Sequence, residues 1–253
     1  MSKLNDSTMI NYPAPHFIDN NEQLALLEVI QKNPLASLIF LDSHHKMHIS
    51  HIPFYYPNSE KVKQNNHQIA DGKLLAHVSN NHPLAKQVKT DNSAQSKTKI
   101  TLIFHGEDDY ISPNDVCIEL RAMQKVPTWN YSKVHVIGQL TEVEKLDDKY
   151  QQLLLMSDYF EQQKEQQRLT SAANNIAWSL ADSFGQSSPE RLNQIDESLK
   201  YMLKAITAFT FTIDKIEGHF KLSQNKNTAV RRQIAEQVAL RNKPLLARQI
   251  HTL

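Results

Sequence analysis

The order in which strand-like and helix-like patterning follow one another limits this chain more than any single motif. From Leu35 to Val143, short apolar or alternating runs are separated by turn-forming residues. From Asp147 to about Ile206 the chain becomes rich in Gln, Glu, Leu and Ala, and at Ala208 alternation returns. Short strands that resume after a helical excursion predict one antiparallel β-barrel interrupted by an insertion, because the βαβα alternation of a parallel sheet is absent. The expected class is mainly β with helices. It comprises a single domain over 1–253, a helical insertion at 147–206 before the last barrel strands, and a C-terminal helix.

The individual elements follow from local pattern. Asp19 with Glu22 three positions on resembles a capping box, and Leu24, Leu27 and Ile30 recur at helical spacing until Asn33-Pro34 stops the helix. Strands are expected at Leu35 to Leu41, Met47 to Tyr56, in KLLAHVS behind the Asp71-Gly72 turn, at Ile100 to Gly106, and at Lys133 to Val143. Gly138 marks a bulge or a close backbone approach in the last of these. In the insertion, Tyr150, Leu153, Leu154, Ser157 and Phe160 follow one helical face. AFTFTIDKI forms a strand broken at Gly218, HFKLSQN extends it, and Thr228 to Leu240 is again helical.

Bulk properties narrow the function classes. With 253 residues the chain buries a core without disulfides or metals, and 40% hydrophobic with 22% charged residues is ordinary for a folded protein. Lys+Arg (28) and Asp+Glu (27) nearly cancel, so the basic excess of a phosphate-backbone binder is missing. The single cysteine, Cys117, can make no internal disulfide, no apolar run reaches the length that crosses a bilayer, and the amino terminus lacks a signal-peptide core. A cytoplasmic location is expected. With five glycines and neither GxGxxG nor GxxxxGK, the chain has no Rossmann fingerprint and no P-loop, so side chains must help to hold any bound phosphate.

Four segments combine polar groups with aromatics or prolines beyond what a core requires: SHIPF (50–54), AHVSNNHP (76–83), VPTWNY (126–131) and KLSQN (221–225). Each begins or ends near a strand, where a scaffold places side chains at a rim. In VPTWNY, Pro127 fixes a bend while Trp129, Asn130 and Tyr131 gather two aromatic faces and an amide, which suits a hydrogen-bonded ring system. A turn capping the barrel end would use the same residues. KLSQN offers a cation, a hydroxyl and two amides for a phosphate or a ring edge, or forms a polar turn before a helix.

Other chemistry is set aside. His48 and His51 are three apart in a strand and point to opposite faces, so the cluster with His44 and His45 reads as a solvated hairpin plus one functional histidine, not a metal site. Asp108 and Asp109 read as turn carboxylates diverging into solvent, Cys117 as inert, and Arg231-Arg232 as a solvated helix face. No catalytic acid or base stands out, which leaves open whether the chain is an enzyme.

In chain order, YPAPHF, SHIPF, AHVSNNHP, DDYISP, VPTWNY, HVIG and KLSQN resemble the motifs of the PaiB family of FMN-binding negative transcriptional regulators, over nearly the whole chain. The resemblance implies an FMN-binding split β-barrel of the pyridoxamine phosphate oxidase type, with FMN as cofactor and usually a homodimer with FMN near its interface. It also implies DNA or another protein as a regulatory partner; from the run lengths and histidine spacing above, neither membrane nor metal is expected. By the same resemblance Ser50, His51, Ile52 and Pro53 lie along the flavin, and His77, Val78, Ser79 and Asn80 form a second wall. Trp129, Asn130 and Tyr131 approach from their loop, and Lys221, Ser223, Gln224 and Asn225 meet phosphate or ring edge. FMN-dependent oxidoreductase or flavin reductase chemistry on a small molecule is the alternative, with His51 or His77 as proton donor. The chain departs from the family pattern where Glu107, Asp108 and Asp109 follow Gly106, at Asn114, Asp115 and Val116 after Ser112-Pro113, and at Ser79-Asn80-Asn81.

Overall fold

A computed structural model describes residues 18–19, 23–57, 73–93, 97–168 and 197–252. In chain order the elements are β1 (Ile18–Asp19), α1 (Gln23–Lys32), β2 (Leu35–Leu41), β3 (Met47–Pro53), β4 (Lys73–Ser79), α2 (Pro83–Ser93) and β5 (Ile100–Ile111). There follow two short 3-10 turns at Pro113–Asp115 and Ile118–Met123, then β6 (Thr128–Val143), α3 (Leu146–Arg168), α4 (Glu197–Lys204), β7 (Ile206–Lys221), α5 (Thr228–Leu240) and α6 (Pro244–His251). The strands form one sheet in the order β1-β7-β6-β5-β2-β3, with β4 also paired to β7. Both registers of β7, with β1 and with β4, are antiparallel. The chain is mainly β with helices, as expected.

Contacts within the chain divide it into two compact units, Met1–Ala36, Leu102–Val136 and Lys215–Leu253 in the first, Ser37–Thr101 and Ile137–Asp214 in the second. In the first unit α1 buries Leu26, Val29 and Ile30; of the expected Leu24, Leu27 and Ile30, Ile30 is buried and Leu27 half-buried, while the Leu24 side chain lies outside the described residues. The helix stops where Asn33 returns both its backbone and side-chain N–H to the Val29 carbonyl, each at 3.0 Å. At the other end of this unit Asn227 caps α5 by accepting from the Val230 N–H at 2.9 Å. The helix then covers the predicted span to Leu240 and buries Val230, Ile234 and Val238.

In the second unit Asp42 closes the β2–β3 hairpin, its Oδ1 accepting from the His44 and Lys46 N–H groups at 2.9 and 3.0 Å while His45 takes a left-handed φ of 58°. Phe54 packs on Phe209 and Phe211 of β7. Tyr150 of α3 clusters with Leu199 and Leu203 of α4, which accounts for the amphipathic pattern of the insertion. Its residues 169–196 lie outside the described residues, as do Asp71-Gly72 and YPAPHF. Gly138 is the close approach expected, since a Cβ there would stand 2.1 Å from the Thr212 carbonyl oxygen and 2.6 Å from the Phe211 ring.

Three strands outrun their predicted lengths. β5 continues to Ile111, β6 begins at Thr128, and β7 runs unbroken through Gly218, which pairs with Asp19. A neighbouring strand supplies hydrogen-bond partners that local propensity does not foresee.

Candidate functional site

In the first unit the ends of β6 and β7 bring VPTWNY and KLSQN together. Asn130 Nδ2 donates to Ser223 Oγ at 2.9 Å and Ser223 Oγ donates back to Asn130 Oδ1 at 3.2 Å. Both residues are buried, Asn130 at 0% and Ser223 at 5% exposure. Lys221 Nζ donates to Thr128 Oγ1 at 2.7 Å. Ser223 holds a left-handed φ of 61°, and Gln224 straps this turn, accepting from the Leu222 N–H at 2.7 Å and donating to the Phe220 carbonyl. Asn225 is exposed. The amide and hydroxyl of Asn130 and Ser223 are thus spent on each other, ninety-three positions apart in the chain.

Alternation along β6 sends Trp129, Tyr131, Lys133 and His135 to the opposite face from Asn130. Three side-chain pairs line this face: Trp129 meets Tyr110 edge-on at 5.9 Å, Lys133 Nζ bonds Asp108 Oδ2 at 2.7 Å, and His135 stacks on His219 at 3.9 Å. Trp129 remains 55% exposed and Tyr131 is half-buried. His219 Nε2 lies 3.0 Å from Glu217 Oε1, and Glu217 also binds Lys215. Burial, then the neighbouring His219, hold the pKa of His135 down at about 4. Sequence reading missed this histidine pair, although HVIG and HFKLSQN each carried one member; two-residue periodicity puts His135 on the face of Trp129, but only strand pairing shows that His219 stacks on it.

In the second unit β3 packs beside β4, and Tyr55 and Leu75 exchange two backbone hydrogen bonds at 2.8 Å in an antiparallel bridge. SHIPF and the start of AHVSNNHP therefore run side by side. Ile52 and Val78 are buried; Ser50 and Asn80 are half-buried, and His51, Pro53 and Ser79 are exposed. His51 Nδ1 lies 3.2 Å from Ser37 Oγ, whereas His48 binds Asp42 at 2.8 Å and stacks on Phe40, so the two histidines face apart as expected. Asn80 is anchored by its Nδ2–H on the Lys204 carbonyl at 2.6 Å and by the Thr207 hydroxyl on its Oδ1 at 2.8 Å.

His77 differs from all of these. It lies opposite Ala208 of β7. Its Nδ1 is buried with no hydrogen-bond partner among the described residues, and burial lowers its pKa below the usual histidine value.

Of the departures from the family pattern, Glu107, Asp108, Asp109 and Asp115 form ties within the first unit. Asp108 and Asp109 are not turn residues diverging into solvent; both lie in β5, on opposite faces, Asp108 bound to Lys133 and Asp109 to Arg241 at 2.6 Å. Arg241 also holds Asp115 at 3.0 Å, Asp115 completes a capping box with Ser112, and Glu107 Oε2 accepts from the Leu246 N–H at the start of α6 at 2.8 Å. Cys117 is exposed, its N–H donating to Gln233 at 2.8 Å. Arg232 pairs with Glu236 on an exposed helix face, while Arg231 turns inward onto the Lys226 carbonyl. Among the described residues no group of three His, Cys, Asp or Glu side chains is placed to hold a metal ion, and no helix is long and apolar enough to cross a membrane.

Comparison with known proteins adds the following. A family model described as "Putative FMN-binding domain" matches residues 11–215. The Protease synthase and sporulation protein PAI 2 of Bacillus subtilis is 27% identical over 145 residues, 57% of this chain; the match spans 57% of the Bacillus protein's own length. An uncharacterized protein of Emericella nidulans is 25% identical over 79% of this chain and 75% of its own. Among solved structures, the flavocytochrome Anf3 of Azotobacter vinelandii covers 81% of this chain and 70% of its own, with a TM-score of 0.49 and 12% identity.

Proposed function

This chain belongs to the FMN-binding domain family whose model spans its residues 11–215, and from that premise we propose that it is a PaiB-type flavoprotein that couples the state of a bound FMN to negative control of transcription. The observation that carries the flavin reading is His77: a buried, unpartnered, neutral imidazole nitrogen on β4 offers the hydrogen bond that a heteroaromatic ring edge takes up. The chain's residues fit the cofactor. Ser50 to Pro53 and His77 to Asn80 run side by side in one unit and are the contacts proposed there. In the other unit the exposed ring of Trp129, Tyr131, Gln224 and the exposed Asn225 are contact candidates. Asn130, Ser223 and Lys221 serve first to fix the turn that carries them.

Bound FMN supplies one- and two-electron chemistry, while the protein supplies binding, orientation and electrostatics. With His77 or the exposed His51 as the candidate proton donor on the β3–β4 side, FMN-dependent oxidoreductase or flavin reductase action on a small molecule is the second reading. Exposed Met47 and Ile49 on β3, which ends the strand order, support homodimerisation. DNA or a protein partner completes the regulatory reading, in the cytoplasm.

The test is the visible spectrum of purified protein with FMN, followed by gel filtration. Flavin that co-elutes at the dimer volume supports the proposal, and protein that stays colourless in excess FMN overturns it. For the holoprotein, operator-length DNA bound at low salt and released on flavin reduction supports regulation. Rapid reduction by NADH or NADPH with product formation supports the enzyme instead.

A further inference from the structure

Leu75 and His77 project from the same face of β4. Leu75 packs there with Tyr55 and Met156, and α3 lies across this stretch, Gln152 donating to the carbonyls of Ala76 and Phe209 at 2.8 and 3.3 Å. The Tyr55 and Tyr159 rings are 4.7 Å apart in the same cluster. These backbone acceptors find a donor and Asn80 finds both a donor and an acceptor, yet Nδ1 of His77 finds neither.

A buried polar atom left unpaired costs on the order of 1–3 kcal/mol. An apolar side chain at this position of β4 would avoid that cost, so the imidazole lowers the stability of the flavin-free fold. We infer that His77 supplies the hydrogen bond by which this chain recognises the heteroaromatic edge of the flavin ring, not its phosphate. The inference rests on the flavin reading above. A neutral imidazole suits the ring edge, which presents neutral donors and acceptors; a dianionic phosphate calls for a cation or a row of N–H donors, and burial keeps His77 from becoming that cation.

The experiment titrates wild type, His77→Leu and His77→Asn with FMN and with riboflavin, which lacks the phosphate, following flavin fluorescence, and records the Tm of each flavin-free protein. His77→Leu is expected to weaken both flavins about tenfold and to raise the flavin-free Tm by a few degrees. His77→Asn, which keeps a hydrogen-bonding group, recovers part of the affinity. Loss for FMN alone places His77 at the phosphate and overturns the inference, as does unchanged affinity for both ligands. A flavin-free Tm that falls in His77→Leu shows that the imidazole already had its partner, and overturns it too. Should His77→Leu fail to fold, the FMN-to-riboflavin pattern of His77→Asn decides. Wild-type protein that binds neither flavin removes the flavin reading itself, a result distinct from wild type that binds and variants that bind equally well.

Discussion

Two stretches of polar motif residues in this molecule are built on opposite terms. At the junction of β6 and β7, Asn130, Ser223, Lys221, Thr128 and Gln224 bond to one another or to the turn's own backbone. On β4, His77 keeps a buried nitrogen without a partner. Residues that look equally chemical in a sequence therefore divide into a group that holds a turn in place and a group left available. Saturation of hydrogen bonds inside the chain separates the two.

The comparison breaks most readily at Asn130. Replacing it by Leu leaves the Ser223 hydroxyl buried and unpaired and is expected to destabilise the protein by about 2–3 kcal/mol, read by chemical denaturation; a loss below about 0.5 kcal/mol would mean that the pair is not what holds the turn. Opposite signs for Asn130→Leu and His77→Leu are what the contrast requires.

An exchange sharpens it. Ser223→Ala should cost about 1–2 kcal/mol, whereas the double variant Asn130→Ser with Ser223→Asn restores a hydroxyl–amide pair and places Asn in the left-handed conformation it tolerates well. A double-mutant cycle should show coupling of about 1 kcal/mol, and additivity would show that the two side chains act separately.

Acid should affect the two regions through their histidines. His135 has its folded pKa lowered from the ordinary 6.5 to about 4. Below pH 6.5 the unfolded chain binds a proton that the folded chain refuses, so stability is fully present above that value and falls as pH drops towards 4. His77 acts in the same direction. His135→Asn should flatten the pH dependence of Tm in this window, and an unchanged slope would assign the acid loss elsewhere.

The smaller effects fall on the surface. Arg241→Met breaks a half-exposed ion-pair cluster with Asp109 and Asp115, and about 1 kcal/mol of salt-sensitive stability should go with it while flavin affinity stays the same. His51→Ala should change stability by less than about 0.5 kcal/mol, because that side chain is exposed. A change in flavin affinity without one in Tm would place His51 at the ligand.

Much of the scaffold was legible from patterning. KLLAHVS and the Thr228 to Leu240 helix appear at their predicted bounds because each carries its own period, and the helix its own cap. Gly138 was legible as a close approach because a glycine inside an alternating strand has few other reasons to be there. The ends of β5, β6 and β7 were not legible, because a partner strand extends them. Nor was the role of Glu107, Asp108, Asp109 and Asp115, where an apparent departure from the family pattern proves to anchor Lys133, Arg241 and the start of α6.

The sequence by itself determined the class of fold, the motifs and the cofactor family, since strand and helix periods and ordered motifs are local properties of the chain. Only the tertiary structure decided which motif residues are consumed. Whether Ser223 meets Asn130, whether His219 stacks on His135, and whether any donor reaches His77 depend on strand register across tens of residues, and a hydrogen bond exists only where both partners arrive within about 3 Å.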